Sequence, residues 1–148
     1  SELAGVIAHE VAHVTQNHLV RQIAKMKQNT IPALIGMAVG LMAARSNSDI
    51  ASAAIMSAQA GMASSQLAYT REFEREADRV GFQTLDKSGF DVHGMSDFFE
   101  RLQKSSRLYD NNAPVYLRSH PMTVERISDM QNRAQEYGYR QVVSGLDF

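Results

Sequence analysis

Between Leu3 and Val14 the only polar side chains are His9, Glu10 and His13, spelling His-Glu-Val-Ala-His inside an apolar, helix-forming run. Two imidazoles and a carboxylate are costly to bury unless something compensates them, and a bound metal ion does so. Helical positions four apart share one face, a turn apart. His9 and His13 can therefore offer ring nitrogens to one Zn²⁺ at about 2.0–2.1 Å. Glu10 projects about 100° away, which aims it at a water polarised by the metal and not at the metal itself. Zinc lowers the pKa of that water toward roughly 7, and the carboxylate takes its proton. The competing reading is a charged helix with two incidental histidines. Such a motif normally sits on a solvated face, and the apolar setting argues against it.

A third donor must come from elsewhere. The chain has no cysteine, so thiolate ligation and disulfides are both excluded. The acidic run Glu72-Phe73-Glu74-Arg75-Glu76-Ala77-Asp78 offers four carboxylates, which helical geometry separates. Glu72, Glu76, Arg79 and Gln83 form a wholly polar stripe, the pattern of a solvated face. Glu74, Asp78, Gly81 and Leu85 lie beside the apolar stripe of Phe73, Ala77 and Val80. Glu74 is thus the natural third zinc ligand. Asp78, one turn later, can accept a ring N–H from His9 and fix its tautomer. Gly81 allows this helix to pack closely against the histidine helix.

These residues resemble the M48 family of zinc metallopeptidases, the gluzincin group with two His and one Glu. The resemblance rests on His9-Glu10-Val11-Ala12-His13, on Glu74-Arg75-Glu76-Ala77-Asp78, and on Ser119-His120-Pro121 followed by Arg126-Ile127. Gly5-Val6-Ile7-Ala8 and Ser88-Gly89-Phe90-Asp91 are most similar to the family's periplasmic beta-barrel assembly-enhancing subgroup. The resemblance covers nearly the whole chain. It implies one zinc per chain held by His9, His13 and Glu74, with Glu10 as general base. It implies Asp78 as a second-shell residue sometimes assigned as proton donor, and His120 near the metal. There His120 either stabilises the tetrahedral intermediate or plugs the open coordination position. The resemblance further implies protein or peptide substrates, a bacterial periplasmic location, a role in outer-membrane protein quality control beside the assembly machinery, and a following TPR-repeat domain.

From the residues alone, Arg126 has two readings: pairing with an active-site carboxylate, or a surface role. His18 lies off the ligand face and is expected to cap or pack. His93 is expected on a loop surface.

The elements that must position these groups read as a mainly α fold, a zincin-like helical domain. The first helix is expected over residues 2–27. Thr30 is expected to cap a second helix, Ile31 to Ala44, with Pro32 in its first turn. That segment is apolar and carries Gly36 and Gly40 four apart. A membrane span with a close-packing face is one reading; a buried or interfacial helix is the other. Its 14 residues fall short of a span, which favours the second and leaves peripheral membrane contact through Ile31–Ala44 as an expectation. Residues 45–48 read as a turn, with Asp49 as N-cap. Residues 50–67, rich in Ala, Ser, Met and Gly, read as helix or mobile loop. A patterned helix then runs to Ser88, with Gly89 as its stop. Asp91 caps a helix to about Ser106, residues 111–114 form a loop, and Thr123 caps a last helix to about Tyr137. A short strand is expected near residues 141–143.

The 148 residues suffice for one domain with a core, read as a single M48 peptidase domain, residues 1–148, from a longer protein. A net charge of −1 gives no electrostatic footprint for nucleic acid. Zincins usually align substrate as an added strand on a sheet edge. No convincing strand precedes His9, so that upstream edge is expected to be missing and turnover by the fragment weak. The activity expected is endopeptidase; the alternative is a chaperone-like or adaptor module with a structural or plugged zinc.

Overall fold

The computed structural model describes residues 1–45, 47–108 and 115–138, without the side chains of residues 106–108 and 115. Among the described residues there are six helices and no strand: α1 Glu2–Thr15, α2 His18–Ala43, α3 Ser48–Lys87, α4 His93–Leu108, α5 Val115–Ser119 and α6 Val124–Gln135. The expectations for residues 111–114 and 141–143 lie outside the described residues. The chain divides into two compact units, Ser1–Gln16 with Glu74–Phe148, and Asn17–Phe73.

The first unit builds on α4, against which α1 and α6 both pack. Its core joins Ala8 of α1, Phe82 and Leu85 of α3, Val92, Met95 and Phe99 of the α4 region, and Ile127, Met130 and Ala134 of α6. Burying each large member contributes about 1.5–3 kcal/mol. α1 buries only small residues and a histidine: Gly5, Ala8, His9 and Ala12. Leu3, Ile7, Val11 and Val14 are 42–77% exposed. The histidine helix is thus a core element on one face only. The reason is distance. A Cβ at Gly5 would lie 3.0 Å from Met95 Cα, and one at Gly81 would lie 3.0 Å from both Cα and N of His9. Backbones that close exclude larger side chains, and Gly81 fills the role its position in the sequence suggested.

The first helix does not run through residue 27. It ends at Thr15, and Asn17 takes a left-handed φ of 52° before α2 begins. Asn is among the few non-glycine residues that adopt this region readily. The redirected chain buries His18, which stacks on Phe73 with ring centroids 4.8 Å apart. Nor does a second helix start at Thr30. α2 continues through it, Thr30 Oγ1 donating to Met26 O at 2.8 Å, and Pro32 lies inside the helix. An interior proline removes one ladder hydrogen bond at a cost of about 3 kcal/mol, which the surrounding helix absorbs. Asn47, not Asp49, caps α3: its Oδ1 accepts from the N–H groups of Asp49 (2.9 Å) and Ile50 (3.2 Å). Residues 50–67 are helical.

In the second unit α2 and the first part of α3 run antiparallel. Arg21 stacks over Phe73 and Lys25 over Tyr69, while Gly36 faces Ala58 and Gly40 faces Ala51 and Ala54. At the far end of α3, Gly89 has φ +81°, and the bonds Phe90 N–Leu85 O and Gly89 N–Asp86 O close the helix as expected of a glycine stop. Asp91 Oδ1 accepts from His93 N at 3.1 Å, and Thr123 Oγ1 from Arg126 N at 3.3 Å. Both caps stand where the sequence indicated.

Candidate metal centre

His9 and His13, one turn apart on α1, bring their Nε2 atoms to 3.0 Å. Two imidazole nitrogens at that separation need a shared proton or a shared cation between their lone pairs. α3 adds Glu74, whose carboxylate oxygens lie 3.5 Å from His9 Nε2 and 3.4 Å from His13 Nε2. The segment before α6 adds His120, whose Nδ1 lies 3.3 Å from His9 Nε2 and 3.1 Å from Glu74 Oε1. One donor atom from each of these four residues falls within 4.8 Å of all the others. Zinc bonds of about 2.0–2.1 Å imply tetrahedral edges of about 3.3–3.4 Å. The donor separations, 3.0–3.5 Å, bracket that value. The donor set, imidazole and carboxylate without sulfur, therefore fits a divalent metal of the zinc type.

Behind the donors lies a charge network. His9 is fully buried, and its Nδ1 sits 3.0 Å from Asp78 Oδ1, close but off the hydrogen-bonding line. Arg126 grips Asp78 with two bonds, Nε to Oδ2 at 2.6 Å and Nη2 to Oδ1 at 2.7 Å. Its Nη1 donates to Pro121 O at 2.8 Å and lies 2.8 Å from Glu74 Oε2. Arg126 is 4% exposed, so the surface role is excluded and the pairing with site carboxylates stands. Phe99 forms the floor, edge-on to His9 and 5.3 Å from the Arg126 guanidinium carbon.

The protonation equilibria reflect this packing. Burial alone would pull the His9 imidazole down, but Asp78 and Glu74 outweigh it and hold it above its usual value. Burial alone would push Glu74 up, but His120, His9 and Arg126 outweigh it and hold the carboxyl well below the ordinary carboxylate range. An ionised Glu74 is the form a metal requires.

Glu10 stands outside the donor set. Its side chain is 46% exposed, yet Oε1 is buried without a hydrogen-bond partner, 3.4 Å from His120 Nε2. Sequence reasoning passed over Tyr116. Its ring stacks on His120 with centroids 4.6 Å apart, its hydroxyl is buried and unpartnered, and burial together with Glu10 and Glu74 pushes its pKa up. The available signal was spacing: Tyr116 precedes His120 by one helical turn, and His120 N donates to Tyr116 O at 2.9 Å. His18 packs on Phe73, and His93, at the start of α4, lies 2.8 Å from Asp91 rather than on a loop surface. Neither joins the metal centre.

Comparison with known proteins agrees with this geometry. Residues 1–134 match the model of peptidase family M48. The chain is 36% identical to the beta-barrel assembly-enhancing protease of Escherichia coli O157:H7 and 34% identical to that of Yersinia pestis, over all 148 residues. It is 30% identical over 141 residues to Metalloprotease YcaL of Escherichia coli K12. The chain spans 30% of the length of the first two relatives and 49% of the third.

Proposed function

The chain belongs to peptidase family M48, and from that membership we propose that it is a zinc-dependent metalloendopeptidase acting on envelope proteins of the bacterial periplasm. The names of its relatives support a place in outer-membrane protein quality control, with proteins or peptides as substrates and the assembly machinery as neighbour. The observation that carries the reading is the four-donor cluster with the Glu10 carboxylate beside it.

His9, His13 and Glu74 hold the metal. Zinc, when bound, polarises a peptide carbonyl and makes water acidic enough to be deprotonated near neutral pH. Glu10 accepts the proton of the attacking water at Oε1, which has no hydrogen-bond partner, and returns it to the leaving amine. Asp78 holds the His9 ring, and Arg126 holds Asp78. The short His120–Glu74 and His120–His9 separations support a closed resting state in which His120 takes the position that substrate needs.

Four protein donors without an open position are also the signature of a structural zinc. That observation favours a second reading, a chaperone-like or adaptor module with a plugged site. The unpartnered Glu10 oxygen favours the enzyme, since a structural site has no use for it.

The deciding experiment pairs metal analysis with cleavage of an unfolded protein. About one zinc per chain is expected, lost in His9→Ala and Glu74→Ala. Glu10→Gln should keep the zinc and lose about 10²–10⁴-fold in turnover. Equal residual cleavage in Glu10→Gln and the parent would remove the catalytic assignment.

A further inference from the structure

The second unit is packed inside out. In the middle of the α2–α3 seam the closest approaches are to small residues and one Ile: a Cβ on Gly36 would touch Ala58 at 3.4 Å, and one on Gly40 would meet Ala51 O and Ile55 Cγ1 at 3.2 Å and Ala54 Cβ at 3.3 Å. Val39 lines the groove beside Ala54 and Ala58, while five large aliphatics lie on the open side of α2: Ile31, Leu34, Ile35, Leu41 and Met42 are 55–68% exposed. A helix pair in water does the reverse, putting large side chains between the helices. Small residues inside and large ones outside is the arrangement of helices packed against each other in lipid.

Charge points the same way. No acidic residue occurs between Glu10 and Asp49, a stretch that contains Arg21, Lys25, Lys27 and Arg45. The whole chain is nevertheless at −1, so the basic surplus is local. Lys27 and Arg45, both exposed, bracket the apolar stretch of α2 at its two ends. Protein interfaces are enriched in aromatic anchors, and the chain has no Phe, Tyr or Trp before Tyr69. No helix among the described residues is long and apolar enough to cross a membrane. A helix lying in the headgroup plane, aliphatics down and cations flanking, meets all these conditions.

We propose that the outer face of α2, Ile31 to Met42 with Lys27 and Arg45 at its ends, docks onto a phospholipid surface carrying anionic headgroups. Leu34, Ile35 and Met42 enter the acyl boundary, and the two cations reach the phosphates. The assignment does not depend on the metal reading, and lipid binding is expected with or without zinc.

The chain contains no tryptophan, so Ile35→Trp gives a single reporter. With vesicles of phosphatidylethanolamine and phosphatidylglycerol, the protein should float with the lipid. The Trp emission should shift to the blue and be quenched by brominated acyl chains. Lys27→Gln and Arg45→Gln should each weaken binding about fivefold. Leu34→Glu with Ile35→Glu should abolish it while zinc content stays unchanged, which reports an intact first unit. Three results would overturn the proposal. One is no partition into either lipid. Another is equal, salt-insensitive partition into phosphatidylcholine alone. The third is a blue-shifted reporter in lipid-free protein that light scattering shows to be dimeric, which would assign the face to a second copy.

Discussion

His120 lies between the candidate metal donors and Glu10. Its Nδ1 stands among the metal donors and its Nε2 faces Glu10, so one imidazole touches both halves of the chemistry. A preference of only about 1.4 kcal/mol for that closed arrangement leaves roughly one molecule in ten open. Replacing His120 with Ala should therefore raise kcat on an unfolded protein about tenfold while three donors keep the zinc. A fall in kcat at unchanged zinc content would mean that His120 serves the reaction itself. His9, His13, Glu74 and Asp78 were legible because their spacing and polarity against an apolar background leave few alternatives. Arg126 was not. One arginine near a helix start reads equally well as surface, and only a fold that brings α6 to α3 buries it between two carboxylates. Tyr116 was missed because a single aromatic in a five-residue helix carries no periodic signal.

At the scale of elements, the separation of α1 from α3 sets the donor distances. A Cβ on Gly81 would meet the backbone of His9 at 3.0 Å and Ala8 C at 3.1 Å, atoms that cannot rotate aside. Gly81→Ala should force the helices apart. Overpacking costs about 1–3 kcal/mol and better helix propensity returns about 1, so a net loss of up to about 2 kcal/mol is expected in urea titration. Zinc affinity, read by competition with a chelator, should fall as well. Unchanged midpoint and affinity would show that the helices separate without consequence. The caps at Asp91 and Thr123 and the stop at Gly89 were readable because each is fixed by local chemistry. The break at Asn17 and the passage of α2 through Pro32 were not. Both set tertiary burial against local preference, the first to bury His18 and the second to keep the Gly36–Gly40 face against α3. A period-based reading has no access to that competition.

For the molecule as a whole, the candidate donors come from segments far apart in sequence, and on the proposed reading a metal would be their common partner. Ligand that binds only the folded state stabilises it by about 4 kcal/mol at 1,000-fold excess over its Kd. For a unit of roughly 60–100 residues, that corresponds to a Tm change on the order of 15–30 °C. Chelation should lower the calorimetric transition of the first unit by that amount, and added zinc should restore it. An unchanged transition in protein shown to have lost its metal would mean that Arg126 and the hydrophobic core hold the unit alone.

The order of the donors along the chain has a consequence for synthesis. His9 and His120 are 111 positions apart, with the whole of the second unit between them. At about 5–20 residues per second, roughly 5–20 s pass between the emergence of the first histidine and the last. Until Glu74 and Arg126 have followed, the His-Glu-Val-Ala-His helix has neither its carboxylate donor nor the cation that steadies it. On the proposed reading, a chain grown only past His13 carries the His-Glu-Val-Ala-His motif without its carboxylate ligand, and His120 emerges last of the four donors, 46 positions after Glu74.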